Sequence, residues 1–163
     1  MELKSVILKK NMKLQNTITI KGHVKLEFRN VLTGKIEIFE VDNLVTTAGK
    51  VSIIQNLRGL ANKGEITYTA VGTDATAPDV ANTDLGTEIE RKLVSVRSNT
   101  SNVATFQTFY TTSEANGILK EAGLFGDDAT AVADTGTLFC HTAIDKTKTS
   151  SETLTITWTL QVG

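Results

Sequence analysis

The feature that most limits how this chain can fold is the strict alternation of apolar and polar residues in several segments. In the clearest case, residues 154–162, apolar side chains take every second position, and threonines and a glutamine fill the positions between them. Successive side chains of a β-strand point to opposite faces, so a period of two predicts a strand with one buried face. The same period runs through residues 14–28, and we predict an all-β protein.

Turn-forming residues divide the chain into further strands. Residues 30–35 separate the first strand from a second one, and residues 98–102 lie between two later ones, so two β-hairpins are predicted. The chain also contains 26 threonines, a β-branched residue that favours strands. The predicted strands are 14–28, 36–41, 66–71, 93–97, 103–110, 118–125, 138–144 and 154–162.

One segment has the spacing of a helix. Apolar residues recur there at helical intervals between a threonine cap and a terminating glycine, namely Thr46 or Thr47, Val51, Ile54, Leu57 and Gly59. We predict one short helix at about residues 47–58 that plugs one end of the sheet structure. About eight strands with one capping helix predict an antiparallel β-sandwich.

A length of 163 residues suits one domain, and we assign it to residues 14–163. The preceding residues 1–13 form an arm that combines basic and apolar side chains. A frayed terminus is one interpretation of this arm. The other is that it docks on a neighbouring subunit by adding a strand to its edge. Its predicted subunit contacts are Lys4, Val6, Leu8, Lys9 and Lys10.

A long polar stretch, residues 72–91, is predicted to be a surface loop, and it contains Pro78, the one proline of the chain. Loops of this length are uncommon inside a compact domain unless they bind something. We therefore expect this loop, like the arm, to contact other subunits. Its predicted contact residues are Asp79, Asp84, Glu88 and Arg91.

The residues that carry chemistry do not form a recognisable catalytic or metal-binding pattern. His23, His141 and Cys140 are too few and too widely spaced for a zinc site. Cys140 and His141 are adjacent on a predicted strand, so their side chains point to opposite faces and cannot act together. We expect neither an enzyme nor a bound cofactor or metal.

Two acidic groups leave alternatives open. Glu88 and Glu90 could form the carboxylate pair of a glycosidase, but no aromatic-lined cleft is apparent, and solvated loop charges are favoured. Asp127, Asp128 and Asp134 could supply oxygen ligands to calcium, although their spacing does not match a helix-loop-helix calcium loop.

The bulk properties bear on partners and location. The net charge of −1 gives no reason to expect nucleic acid as a partner. The sequence also lacks a run of the roughly 20 apolar residues that a membrane-crossing helix needs. The apolar run near the N-terminus is too short for a secretory signal, so synthesis in a cytoplasm is expected.

Four segments, taken in order, resemble a widespread group of small virion proteins of tailed bacteriophages, labelled as tail, fibre or head-decoration proteins. The resemblance covers about residues 20–162. The segments are Val-Asp-Asn-Leu-Val-Thr-Thr-Ala-Gly at 41–49, the loop from Val-Gly-Thr at 71–73 to Leu-Gly-Thr-Glu at 85–88, Lys-Glu-Ala-Gly-Leu-Phe at 120–125, and Leu-Thr-Ile-Thr-Trp-Thr-Leu at 154–160.

The resemblance implies a virion structural protein present in many copies and assembled in the bacterial host cytoplasm. Its expected partners are other virion proteins and further copies of itself, and no catalytic residue is implied. A tail, baseplate or fibre component is favoured slightly over a capsid head-decoration protein. A bacterial surface adhesion module is a weaker alternative, because the sequence shows neither a secretory signal nor a disulfide pair. A degenerate enzyme or carbohydrate-binding domain is the remaining one.

Overall fold

The computed structural model describes residues 18–163, which contain nine β-strands and one α-helix. All strand pairs are antiparallel, so the prediction of an antiparallel all-β fold with one short helix is confirmed. The elements are β1 (Ile20–Asn30), β2 (Ile36–Val45), α1 (Thr47–Leu57), β3 (Ile66–Gly72), β4 (Glu88–Leu93), β5 (Val96–Thr100), β6 (Val103–Tyr110), β7 (Gly117–Gly126), β8 (Thr137–Lys148) and β9 (Glu152–Val162).

The nine strands form one curled sheet in the order β4-β3-β7-β8-β2-β1-β9-β6-β5. Strand β2 is the joint of this sheet. Its residues 36–43 pair with β1, whereas Leu44 and Val45 pair with β8. The architecture is therefore a half-barrel, and the predicted β-sandwich of two stacked sheets is wrong on this point. Alternation shows which face of a strand is buried, but it does not show which strands are neighbours.

The concave side of the sheet holds the core. The central strands β1 and β9 contribute alternate side chains, and Val24 and Leu26 stand opposite Trp158 and Ile156, all of them fully buried. The threonines of β9 occupy the positions between, as the alternation predicts. The two flanks of the sheet curl toward each other and are in contact. The hydroxyl of Tyr110 in β6 donates a 2.8 Å hydrogen bond to the carbonyl of Thr69 in β3.

Strand β4 was not anticipated, and it shortens the predicted loop. Its sequence, Glu-Ile-Glu-Arg-Lys-Leu, is mostly charged, yet it pairs with β3 from Tyr68 to Gly72. The loop between β3 and β4 therefore covers residues 73–87 instead of 72–91. Glu88 and Arg91, expected in a loop, lie on a strand.

Helix α1 occurs where it was predicted, and its small residues are the ones that it buries. The Thr46 side chain accepts a hydrogen bond from the backbone N–H of Gly49 at 3.0 Å and caps the helix. Small residues form the buried side: Gly49 lies so close to β8 that an added Cβ would be 2.8 Å from backbone atoms of Phe139, and Ser52 is also buried. Val51, Ile54 and Leu57 point outward. No helix in residues 18–163 has the length and apolar character needed to cross a membrane.

Candidate protein-interaction surface

The longest loop of the described chain, residues 73–87, is fastened to the sheet by one buried carboxylate. Glu121 of β7 is 1% exposed. It accepts hydrogen bonds from the backbone N–H groups of Asp74 at 3.3 Å, Gly86 at 2.9 Å and Thr87 at 2.8 Å. Burial alone raises the pKa of Glu121, but these bonds and one from His141 outweigh that effect and leave the pKa below its usual value. The loop is thus held at both ends by an ionised side chain.

His141 of β8 completes this anchor. Its Nε2 atom lies 3.1 Å from the Glu121 carboxylate, and its Nδ1 atom lies 2.9 Å from the side-chain oxygen of Asn82 in the loop. Groups of the chain itself therefore occupy both ring nitrogens, which leaves neither one free for a metal or a substrate proton. The adjoining cavity has a volume of about 90 Å³, whereas small-molecule sites occupy roughly 300–1,000 Å³. These contacts hold the loop in place, and the cavity beside them is smaller than a typical small-molecule site.

The predicted contact residues Asp79 and Asp84 both lie in this loop. Asp79 is exposed, and its carboxylate accepts a 2.8 Å hydrogen bond from the backbone N–H of Ala81. Asp84 is half-buried and accepts a 2.9 Å bond from the Thr83 hydroxyl. Asp79 is therefore the better placed of the two to contact another molecule.

Glu88 and Arg91, the other two predicted contacts of this segment, bond to each other inside the chain. Their side chains are 3% and 2% exposed, and the guanidinium donates two hydrogen bonds of 2.7 Å to the carboxylate. The guanidinium also lies 4.1 Å from the ring centroid of Phe125 and donates a 2.7 Å bond to the Thr135 carbonyl. Glu88 is thus not the solvated loop charge that was expected. The pair joins β4 to the β7–β8 loop.

The connection between β6 and β7 is held in a similar way. Lys148 of β8 is 1% exposed, and its ammonium donates 2.9 Å hydrogen bonds to the Thr111 carbonyl and the Asn116 side chain. On the same connection, the Glu114 carboxylate accepts a 2.6 Å bond from the Lys92 ammonium. Three loops are thus attached to the sheet by charged side chains that the fold buries.

Acid is expected to weaken the fold partly through Glu114. The hydrogen bonds from Lys92 and from the Thr111 N–H lower the pKa of Glu114 from 4.5 to about 2. Because the folded state favours the ionised form, this carboxylate stabilises the fold above pH 4.5. That contribution should disappear as the pH falls from 4.5 to about 2. Urea denaturation of the parent and of Glu114→Gln across this range should show a gap in stability that narrows with acidity. A gap that stays constant would contradict the assignment.

The outer side of α1 is apolar, although it faces solvent. Val51, Ile54 and Leu57 are 48%, 58% and 77% exposed, and together we call them the apolar helix face. Val80 of the 73–87 loop adjoins the start of the helix, because its carbonyl accepts a 2.8 Å hydrogen bond from the Thr47 N–H. Single exposed apolar residues are ordinary, but a contiguous row of them is typical of a protein–protein contact.

The three aspartates considered for calcium have separate roles. Asp127 is buried, and one of its oxygens accepts hydrogen bonds from the Ser52 hydroxyl at 2.6 Å and the Gly64 N–H at 2.8 Å. Asp128 and Asp134 are exposed on the β7–β8 loop. In the described part of the chain, no three His, Cys, Asp or Glu side chains are grouped so that they could hold a metal ion. Asp127 instead attaches the base of this loop to α1.

Cys140 and His23, the remaining residues considered for chemistry, lie in different surroundings. Burial raises the pKa of the Cys140 thiol to about 12, so at neutral pH it stays in its unreactive protonated form. His23 lies on the convex side of β1, with Nδ1 3.2 Å from the Asp42 carboxylate. Cys140 is thus a core residue, and His23 is paired with an acidic neighbour near the surface.

The sequence did not reveal the anchors Glu121 and His141 or the outward direction of the apolar helix face. Gly49 and Ser52, three residues apart, were an available clue, since small residues at that spacing mark the helix side that approaches a neighbour closely. The predicted contacts of the N-terminal arm lie outside the described residues, namely Lys4, Val6, Leu8, Lys9 and Lys10. Comparison with known protein families, curated proteins and solved structures found no match.

Proposed function

We propose that this chain is a non-catalytic structural protein of a tailed-bacteriophage virion that assembles through protein–protein contacts. The observation that carries this proposal is the apolar helix face. Val51, Ile54 and Leu57 lie 48–77% exposed on an ordered helix whose opposite side is packed against the sheet. Covering these side chains with another protein surface removes apolar area from water, and this is the main favourable contribution to protein association.

The anchored loops support the same proposal. Ordering a flexible loop on binding costs free energy, and loops that are already fixed avoid much of that cost. Glu121 fixes the 73–87 loop, Arg91 fixes the β7–β8 loop and Lys148 fixes the β6–β7 connection. A surface made of fixed loops and a packed helix suits a protein that must bind its neighbours in one defined geometry.

The placement of the reactive residue types favours a structural role over catalysis. His141 is bonded at both ring nitrogens, Cys140 is buried, and Glu88 is neutralised by Arg91. An enzyme site instead keeps its acid, base or nucleophile within reach of a substrate. In this chain, each of these groups maintains the fold.

The virion assignment rests on the resemblance of four ordered segments to tailed-phage tail, fibre and head-decoration proteins. It suggests assembly in the bacterial host cytoplasm, with other virion proteins and further copies of the chain as partners. A tail, baseplate or fibre component is our first choice. A head-decoration protein would use the same kind of surface against the capsid.

Gold labelling of purified particles of the source phage tests this proposal. Antibody against the chain should bind intact particles, and label at the tail or baseplate is the expected result. Label spread over the heads would replace the tail assignment with capsid decoration. Particles from a phage that lacks the gene are the matched control. Absence of label from wild-type particles and their dissociated components would overturn the virion role.

A further inference from the structure

A second surface on the molecule is complementary to the apolar helix face. The outermost part of the β7–β8 loop, residues 128–134, has the sequence Asp-Ala-Thr-Ala-Val-Ala-Asp, and we call it the acidic tip. Val132 is 66% exposed there, with an alanine on each side. Asp128 and Asp134 stand at the two ends of the tip, and both are exposed, with the Lys63 ammonium of the same chain 3.8 Å from the Asp128 carboxylate. The acidic tip is thus a small apolar protrusion between two negative charges.

The acidic tip is also rigid. The Thr135 hydroxyl donates a 2.7 Å hydrogen bond to the Val132 carbonyl and accepts a 2.9 Å bond from the Thr130 N–H. Arg91 donates to the Thr135 carbonyl from within the sheet. A protrusion held by its own hydrogen bonds has little conformational freedom to lose when it binds.

The apolar helix face offers a matching depression. A shallow concavity of about 340 Å³ lies along the outer side of α1, with Val51 and Ile54 among its lining residues. Lys50 and Arg58 line the same concavity and are exposed. The helix contains no acidic residue. The depression is therefore apolar and bordered by positive charge, whereas the acidic tip is apolar and bordered by negative charge.

We propose that the acidic tip of one copy docks in the helix depression of a second copy, so that Val132 covers Val51 and Ile54 while the two aspartates face Lys50 and Arg58. This proposal rests on the proposed function, since it names one of the contacts through which the chain assembles. Charge complementarity of this kind selects the partner and sets the register of a contact.

The position of the two surfaces favours a two-fold arrangement. Asp127, at the base of the acidic tip, accepts a 2.6 Å hydrogen bond from Ser52 on the inner side of α1, so both surfaces lie at the same end of the molecule. In a two-fold pair, each copy can supply one tip and one depression, and the contact is made twice. The exposure of Val51 and Ile54 shows that a chain's own tip does not cover its own helix.

Changing the charges on each side tests this contact: both are reversed on the helix, and on the tip one is reversed and the other removed. One variant carries Lys50→Glu and Arg58→Glu, and the other carries Asp128→Lys and Asp134→Asn. Asparagine is chosen at position 134 because the backbone there has φ of 58°, which asparagine tolerates. Sedimentation velocity at low salt should show that the parent self-associates and that each variant alone does so about tenfold more weakly or worse. An equimolar mixture of the two variants should regain association close to that of the parent.

The mixture controls for misfolding, because two unfolded variants could not restore each other. Lys35→Glu, in the exposed turn between β1 and β2, is a matched reversal and should leave association unchanged. A parent that stays monomeric at high concentration, or a mixture that fails to recover, would overturn the tip-and-helix contact. Gold label on particles together with either result would retain the virion role and reject only this contact. Recovery in the mixture without particle label would retain the tip-and-helix contact and reject the virion role.

Discussion

Replacement of Glu121 with alanine is expected to lower the free energy of unfolding by about 3–5 kcal/mol. The carboxylate accepts bonds from three backbone N–H groups of the 73–87 loop and from His141, and it is 1% exposed. Without it, those donors either remain unpaired in the interior or pull the loop away from the sheet. Either outcome removes the side-chain bonds that hold the two ends of this loop.

Urea denaturation followed by tryptophan fluorescence measures the global effect, since Trp158 is the one tryptophan of the chain and is fully buried. Limited proteolysis should also show new cleavage within residues 73–87. Glu40→Ala, on an exposed position of β2, is the matched control and should change stability by less than about 0.5 kcal/mol. Equal stability of the two variants, with no new cleavage, would show that Glu121 does not hold the loop.

The sequence was sufficient to predict the strands whose two faces differ. Strand β9 alternates apolar residues with threonines, and one side of it packs around Trp158 while the other stays near solvent. Strand β1 follows the same logic, with Val24, Leu26 and Phe28 buried, whereas Ile36 and Ile38 of β2 are about half exposed and depart from it. In such strands the alternation along the chain reflects which side chains are buried, so the alternation could be used to predict the burial.

Other features depend on parts of the chain that are distant in sequence. Strand β4 consists largely of charged residues. Its assignment requires knowing that Glu88 neutralises Arg91 and that β3 pairs with β4. The choice between a half-barrel and a sandwich depends on two residue pairs, which join Leu44 and Val45 to β8. Periodicity contains no information on either point.

The candidate surface was predicted only in outline. The long loop was identified from its polarity, and Asp79 does lie exposed on it. The helix was identified from the spacing of Val51 and Ile54, but apolar spacing does not tell whether a face packs inward or outward. The small side of the helix around Gly49 decides the direction, because only that side can approach Phe139 closely.

Replacement of Arg91 with leucine is also expected to destabilise the fold by about 3–5 kcal/mol. The Glu88 carboxylate is 3% exposed and would keep a buried charge without its counter-charge. The Thr135 carbonyl would lose its donor, and the contact with the Phe125 ring would disappear. The β7–β8 loop should therefore become susceptible to proteolysis together with the loss of stability.

A double-mutant cycle separates the ion pair from the packing around it. Glu88→Leu with Arg91→Leu removes both charges, so no buried charge remains unpaired, and the double variant should be more stable than Arg91→Leu alone. The same variants also decide between two roles for Arg91. If it served as a subunit contact, as its place in the sequence suggested, Arg91→Leu would weaken self-association at unchanged stability. Because the Arg91 side chain is only 2% exposed, we expect the other result: the free energy of unfolding falls, and self-association declines only because the acidic tip is no longer held.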